Sequence, residues 1–412
     1  MKILFISTTD NVGGAAKVCW NLGHKLNKFG IQSKFIVGYK HSNNSRVDYT
    51  PKTRAELLIS KLLNKDYSSA IRLALSFLFA NNIDIGSSEY IFNHPWYKEA
   101  DIIHCHNLHG NYFRLDNLIR MTRDKKVIWT LHDMMPITGK CAYINNPSKW
   151  VNQCTGCNNL LAYPPMLWDN TKYLWNKKKY IYEHCSQLNL VTPSRWLANI
   201  VRSSMLSSFT IQIIPNGIST AIYHPGDKDL ARKRLGLPLN KKIGLFIAQN
   251  GDLDPRKGAK YLNYVLARST EFKNLLLVRL GDNKSVNMPN VLSLPYLKDE
   301  KEIASYYQAA DFLIFPSKAE NCSMVLLEAM ACGLPALAFD VGGNREIVKH
   351  KKSGYLVNKI DESSYHEGLS YYMSLSDNDL HHISRSAART IQAKFTLEQM
   401  ARNYSKLYSS IL

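Results

Sequence analysis

Acidic residues are the scarce class in this chain of 412 residues: 33 Asp and Glu stand against 52 Lys and Arg, a formal net charge of +19. The shortage is concentrated, with 13 acidic against 26 basic residues in positions 1–225 and 20 against 26 in the remainder. Long apolar runs are also missing. The opening MKILFIS is too short for a secretory h-region and runs into polar STTDNVGG with no cleavage pattern. The most apolar later stretch, Ile71 to Ala80, falls far below the roughly 20 residues of a spanning helix. These absences predict a cytoplasmic protein, free or held peripherally at the inner face of the cytoplasmic membrane. Eight cysteines with no export signal argue against a disulfide framework, because a reducing compartment keeps them as thiols. No repeat or low-complexity tract is present. No helix-turn-helix, RNA-recognition or zinc-finger pattern accompanies the positive charge, which argues against nucleic acid as the partner. Anionic lipid and phosphorylated substrates remain as reasons for it.

What is present is enough apolar residue, 45% of the chain, to bury two cores, and the chain is long for one. Strand-like runs alternate with helix-like stretches: KILFIS, SKFIVG, DIIHCH, KVIWTLH, LNLVTPS and IQIIPNG. The series restarts after His224 and Pro225 with KIGLFIAQN, NLLLVRLG, NVLSLPYL, DFLIFPS, PALAFD and GYLVN. Such alternation marks an α/β chain of parallel units. It predicts two Rossmann-like, doubly wound domains facing a central cleft, residues 1–222 and 223–393, with a C-terminal helix of about 394–412 packing back on the first. Ligands of open α/β sheets bind at the carboxyl ends of the strands, so the site is expected there. Between Pro51 and Ala80, Lys52, Arg54, Lys61, Lys65 and Arg72 interleave with leucines and isoleucines at helical spacing. That pattern suits an interfacial amphipathic helix, and equally the solvated face of a core-packed one.

The most informative segment is PSKAENCSMVLLEAMACGLPALAFDVGGNREIV. A strand, DFLIFPS, leads through a short loop into a helix that Gly333 and Pro335 end. The backbone N–H groups of Asn321, Cys322, Ser323, Met324 and Val325 would face anything held at the strand tip, and the positive end of the helix dipole suits a diphosphate. Glu320 at the tip and Glu328 in the helix could accept hydrogen bonds from sugar and ribose hydroxyls respectively. As a bare pair they would read as ordinary exposed carboxylates. In QNGDLDPRKG, Arg256 and Lys257 set two fixed positive charges on the loop after KIGLFIA, fit to neutralise a leaving diphosphate or simply to be solvated. Gly13 and Gly14, between the first strand and its helix, allow close backbone approach to a phosphate and serve a turn equally well.

Glu320 and Glu328, with seven residues between them, and the EAMACG-P helix end that begins at Glu328 closely resemble the donor-site motif of glycosyltransferase family 4, and the resemblance runs through GGAAKVCWNL, VTPSRWLANIV and IPNGIST. It implies the glycosyltransferase B architecture and a retaining, metal-independent enzyme with no cofactor. It implies that Glu320, Arg256 and Lys257 grip the sugar and diphosphate of a nucleotide-diphospho-sugar, that Gly13 and Gly14 close over that diphosphate, and that Glu328 meets the ribose. His132, at the end of KVIWTLH, matches the family's active-site histidine over the donor sugar. The acceptor implied is a glycan hydroxyl, lipid-linked, as in bacterial O-antigen, capsule or exopolysaccharide assembly. An epimerase or hydrolase of nucleotide sugars on the same fold is the alternative, but such enzymes lack the EAMACG segment. His104, His106 and His109 are expected to be cleft-lining or structural. Cys141, Cys154 and Cys157 have zinc-knuckle spacing but form an incomplete set, with His184 or Cys185 as the candidate fourth ligand.

Overall fold

A computed structural model describes the chain apart from residues 63–66, 87, 145–152, 248–254 and 282–287. It divides into two compact units, Met1–Ile214 with Ala401–Leu412, and Pro215–Met400. The division falls before the 222/223 boundary read from the sequence, and the returning segment begins at Ala401 rather than near 394. Backbone pairing explains the first shift: the Ile218 N–H donates to Phe395 O and the Leu397 N–H to Ile218 O, both at 2.9 Å, which ties this stretch to the second unit.

Among the described residues, the first unit is built on a seven-stranded parallel sheet of β1 (Lys2–Thr9), β2 (Gln32–Tyr39), β3 (Val47–Tyr49), β4 (Ile102–Cys105), β5 (Lys126–Thr130), β6 (Leu188–Thr192) and β7 (Ile211–Ile213), in the order β3-β2-β1-β4-β5-β6-β7. Residues Ile3 to Ile6 of β1 are all buried, the continuous apolar run of a parallel strand covered on both faces. The helix Gly14–Asn27 lies close to β1 and β2 because Gly23 has no side chain; a Cβ there would sit 2.4 Å from the Phe35 ring and 3.3 Å from the Phe5 ring. From the other end of the chain, the helix Leu397–Ile411 buries Tyr404 and Tyr408. The Tyr404 hydroxyl meets Thr130 Oγ1 and the Tyr408 hydroxyl meets His104 Nδ1, each at 2.8 Å.

The basic stretch 51–80 folds as two helices, Arg54–Leu62 and Ser68–Leu78, not one. Arg72 does not belong to an exposed basic face: its guanidinium is buried against the Glu56 carboxylate, with Nε donating to Oε1 at 2.6 Å and Nη2 to Oε2 at 3.0 Å. Lys65 lies outside the described residues. No helix among the described residues is long and apolar enough to cross a membrane.

The second unit repeats the plan. Its strands β8 (Lys242–Ile247), β9 (Leu275–Leu280), β10 (Val291–Leu294), β11 (Phe312–Phe315), β12 (Ala336–Phe339) and β13 (Gly354–Val357) are parallel, in the order β10-β9-β8-β11-β12-β13. After β11 the chain enters the helix Met324–Ala331, which is apolar nearly all round because it is buried nearly all round. Its end is a Schellman turn: Gly333 is left-handed at φ +80°, the Gly333 N–H reaches Met330 O at 3.0 Å, and the Leu334 N–H reaches Ala329 O at 2.9 Å. In both sheets the order in which strands are added switches sides beside the first strand, between β1 and β4 and between β8 and β11. Those switch points, at the carboxyl ends, are where this topology opens a crevice.

Candidate active site

At the switch point of the second unit, two loops far apart in sequence are fastened together. The Lys318 N–H donates to Arg256 O at 2.7 Å, and Ser317 Oγ lies 3.2 Å from the same carbonyl. Gly258 makes the approach feasible, since it is left-handed at φ +75° and a Cβ would lie 2.0 Å from Pro316 O. The result joins two of the residues singled out from sequence. Lys257 Nζ donates to Glu320 Oε1 at 2.7 Å, and Ser317 Oγ donates to the same oxygen at 2.7 Å. Glu320 is buried while Lys257 keeps much of its side chain exposed. The carboxylate is therefore fixed, and the ammonium beside it stays accessible to an anion. Residues 249–254 of the same loop lie outside the described residues.

A third loop locks Glu320 from behind. The Gly343 N–H donates to Glu320 O at 3.2 Å, and Gly342, at φ +56°, comes so near that a Cβ would lie 1.7 Å from that oxygen. Asn321, Cys322 and Ser323 follow, all buried, and the Ser323 hydroxyl caps the helix by accepting the Leu326 N–H. Asn216 Nδ2 donates to Cys322 O at 3.0 Å, steadying the loop. Burial pushes the Cys322 thiol up to about 12, so it is no nucleophile. One turn into the helix, Glu328 Oε2 accepts the Tyr307 hydroxyl at 3.0 Å. Burial, and then the Glu328 charge beside it, raise the pKa of Tyr307 well above the usual phenol range. Ser317, Tyr307 and Asn216 were not anticipated from sequence. Asn216 lies within IPNGIST and Ser317 within PSKAENCSMV, whereas Tyr307 lies in neither quoted motif.

The first unit opens with Gly13 at φ +90° as the N-cap of Gly14–Asn27, with open space where a side chain would be and no side-chain cap. Glycine is needed there for its backbone angle, not for room. The first-turn N–H groups of that 14-residue helix are left to other acceptors. Across the switch point, Thr8 Oγ1 donates to the carbonyls of Asn107 and His109. His132 and Asp133 follow β5 and meet the histidines that follow β4. His106 Nδ1 and His132 Nε2 are 2.8 Å apart, and His109 Nε2 meets Asp133 Oδ2 at 2.9 Å. Crowding by protein atoms pushes the His132 pKa down to about 4, so the ring is neutral at physiological pH. Burial acts to raise Asp133, but His109 and the Met135 N–H outweigh it and hold the carboxyl below its usual range. Lys178 pins the turn beyond, donating to the carbonyls of Met135, Thr138 and Gly139 at 2.8–3.2 Å. His106 is thus the direct partner of the predicted His132, and His109 that of the neighbouring Asp133, roles their spacing did not reveal.

Among the described residues no group of three His, Cys, Asp or Glu side chains could hold a metal ion. Cys154 Sγ accepts the Gly139 N–H at 3.1 Å. Neither candidate fourth ligand joins the three cysteines: His184 Nδ1 is bound to Tyr180 O, and the Cys185 thiol faces Thr122. A cavity of about 920 Å³ in the second unit lies at the other end of the sheet, lined by Lys242 and Asp311 where β8 and β11 begin and by Gly333 just before β12. None of the predicted donor-site residues lines it.

Residues 12–222 match the family described as Glycosyltransferase Family 4, and residues 227–390 match that described as Glycosyl transferases group 1. A protein of Escherichia coli (strain K12) named for colanic acid biosynthesis, the glycosyl transferase WcaC, is 25% identical over 375 residues, 86% of each chain. A D-inositol 3-phosphate glycosyltransferase of Acidothermus cellulolyticus is 31% identical over 176 residues, 38% of each chain. Among solved structures, HepE of Anabaena, in complex with UDP and glucose, superposes with a TM-score of 0.66 over all of both chains at 15% identity. WaaG, a glycosyltransferase involved in lipopolysaccharide biosynthesis, gives 0.65 over 98% of this chain and 99% of its own, also at 15% identity. These likenesses establish the glycosyltransferase B fold of two parallel-sheet α/β domains.

Proposed function

The chain belongs to glycosyltransferase family 4, and from that premise we propose that it is a retaining enzyme that moves a sugar from a nucleotide-diphospho-sugar to a hydroxyl of a lipid-linked glycan during bacterial surface-polysaccharide assembly. The observation that carries the reading is the Lys257–Glu320–Ser317 cluster at the β8/β11 switch point, next to the start of the helix Met324–Ala331. A buried carboxylate held by a hydroxyl is suited to sugar hydroxyls. A half-exposed ammonium and the N–H groups of a helix start are suited to a diphosphate.

In the reaction proposed, the acceptor oxygen bonds to the anomeric carbon on the face from which the nucleotide departs. The bond from that carbon to the diphosphate oxygen breaks, and that oxygen takes the acceptor's proton. Negative charge therefore grows on the diphosphate, where Arg256, Lys257 and the helix start stabilise it, and we assign the same role to the Gly13–Gly14 helix start. His132, neutral and held through Nε2, orients the sugar. Glu328 meets the ribose. The charge on the diphosphate is met by these groups in place of a metal ion. A nucleotide-sugar donor gains support from HepE, whose structures hold UDP and UDP-glucose. Polysaccharide assembly gains support from WcaC and WaaG.

An acceptor in a lipid bilayer accords with the surface of the first unit. Leu57, Leu58 and Leu62 are exposed on one helix, and Leu78 and Phe79 at the end of the next. Exposed Leu167 and Trp168 extend the second group, the Leu167 N–H bonding Phe77 O and the Trp168 indole N–H bonding Leu78 O. Exposed Lys61 and Lys172 belong to the same segments. Apolar tips with lysines suit an anionic membrane surface. The decisive test is transfer from a matched donor by Glu320→Gln. Turnover should fall at least about 100-fold with an unchanged melting curve, and chelator should leave the parent enzyme's rate unaltered. Full activity in Glu320→Gln would overturn the assignment.

A further inference from the structure

His106 follows β4 with its ring fully buried against Phe5 and His104, at centroid distances of 5.9 and 4.4 Å, and lies nearly parallel to the His132 ring at 5.1 Å. Its Nδ1 is 2.8 Å from His132 Nε2, whereas its Nε2 is buried without a hydrogen-bond partner. Neither ring carries a charge near neutral pH: burial, joined for His106 by the neighbouring His104 and His132, lowers both pKa values. Two neutral imidazoles in such contact share a single proton. If it sat on His132 Nε2, His106 would have to carry its own proton on Nε2, a buried N–H with nothing to receive it. If it sits on His106 Nδ1, the unpartnered atom is a bare nitrogen lone pair. Orphaned buried N–H groups are the rarer defect.

We propose that His106 is a positioning residue, which donates its Nδ1 proton to Nε2 of His132 and thereby fixes both the plane of that ring and its proton on Nδ1. Which nitrogen of a histidine bears the proton is set by the bond the other one makes. The arrangement is braced from behind. His104, packed at a tilt against His106, is held on both nitrogens by the Tyr408 hydroxyl and Thr130 Oγ1, and Trp129 Nε1 donates to His106 O at 2.7 Å. The part His106 plays in transfer rests on the role of His132 proposed above. The tautomer does not.

The whole chain, labelled with nitrogen-15 in histidine alone, reports the tautomer directly in long-range proton–nitrogen correlation at pH 7.5, with the His132 ring identified by its loss in His132→Asn. Nε2 of His132 is expected at the pyridine-like shift and Nδ1 at the pyrrole-like one; the reverse overturns the proposal. In the transfer assay, His106→Phe should lower kcat roughly 10- to 100-fold with little change in KM for the donor. His106→Asn, whose amide nitrogen overlies Nδ1, should restore most of it. His106→Gln, whose amide nitrogen overlies Nε2, should not. Equal losses in the Asn and Gln variants at matched melting temperatures would overturn the positioning role. A His132→Ala enzyme of full turnover would remove His132 from the reaction and His106 with it, even with the nitrogen shifts as expected.

Discussion

At the carboxyl ends of β4 and β5 the first unit gathers buried imidazoles, whereas at the carboxyl ends of β8 and β11 the second sets an ammonium against a carboxylate. The two sheets share a strand order, but the first place lies one strand beyond its switch point and the second lies at it. What differs is their burial: His104 and His106 are fully buried, which favours their neutral forms, while much of the Lys257 side chain is exposed. One scaffold can therefore hold ring planes by neutral hydrogen bonds in one copy and meet phosphate charge in the other.

The largest way to break the comparison is to remove the charge. Lys257→Ala should lower turnover about 10²- to 10³-fold, comparable to losing one preorganised donor to a developing anion. Steady-state kinetics should show the loss in kcat as well as kcat/KM, and a loss confined to KM would mean that Lys257 only binds the donor. Next in size, Gly342→Ala forces a side chain into Glu320 O and into a left-handed backbone angle. It should cost about 2–3 kcal/mol of stability in the second unit, read as a lower urea midpoint, and a neutral result would mean that the loops can part without penalty.

Acid should sharpen the contrast from the other side. The unfolded chain takes up protons on histidine near pH 6.5, whereas folded His132 stays neutral down to about 4, and His104 and His106 are also held below their ordinary value. The unfolded state thus binds more protons in this window. Stability is complete above pH 6.5 and drains away as pH falls toward 4. Urea melts at pH 7.5, 5.5 and 4.5 should show the first unit weakening first. The smallest effect belongs to the surface. Exchanging Phe79 and Trp168 for Ser should reduce binding to vesicles of anionic lipid several-fold at low salt while transfer to a soluble acceptor is kept. Undiminished binding would point away from this face.

Much of this could be read from the chain. Runs such as KILFIS and DFLIFPS are buried strands because nothing polar interrupts them, and the segment around Glu320 joined a strand tip, a cap and a helix end within one stretch. Partners contributed from elsewhere could not be read. Parallel strands are joined by long crossovers, so neighbours in the sheet are strangers in sequence: Lys257 and Glu320 are 63 positions apart, His104 and Tyr408 are 304. Arg72 shows the same limit in small. Its helical spacing placed it among exposed lysines, and only the fold reveals Glu56 waiting for it in the interior.

The helix Leu397–Ile411 has a consequence for the order of events during synthesis. Tyr404 and Tyr408 fill the core of the unit whose other residues end at Ile214, and their hydroxyls complete the bonds of Thr130 and His104. The first unit to leave the ribosome is thus the last to be finished. Until residues 401–412 emerge, His104 and Thr130 lack these hydroxyl partners, next to the histidines proposed to take part in transfer.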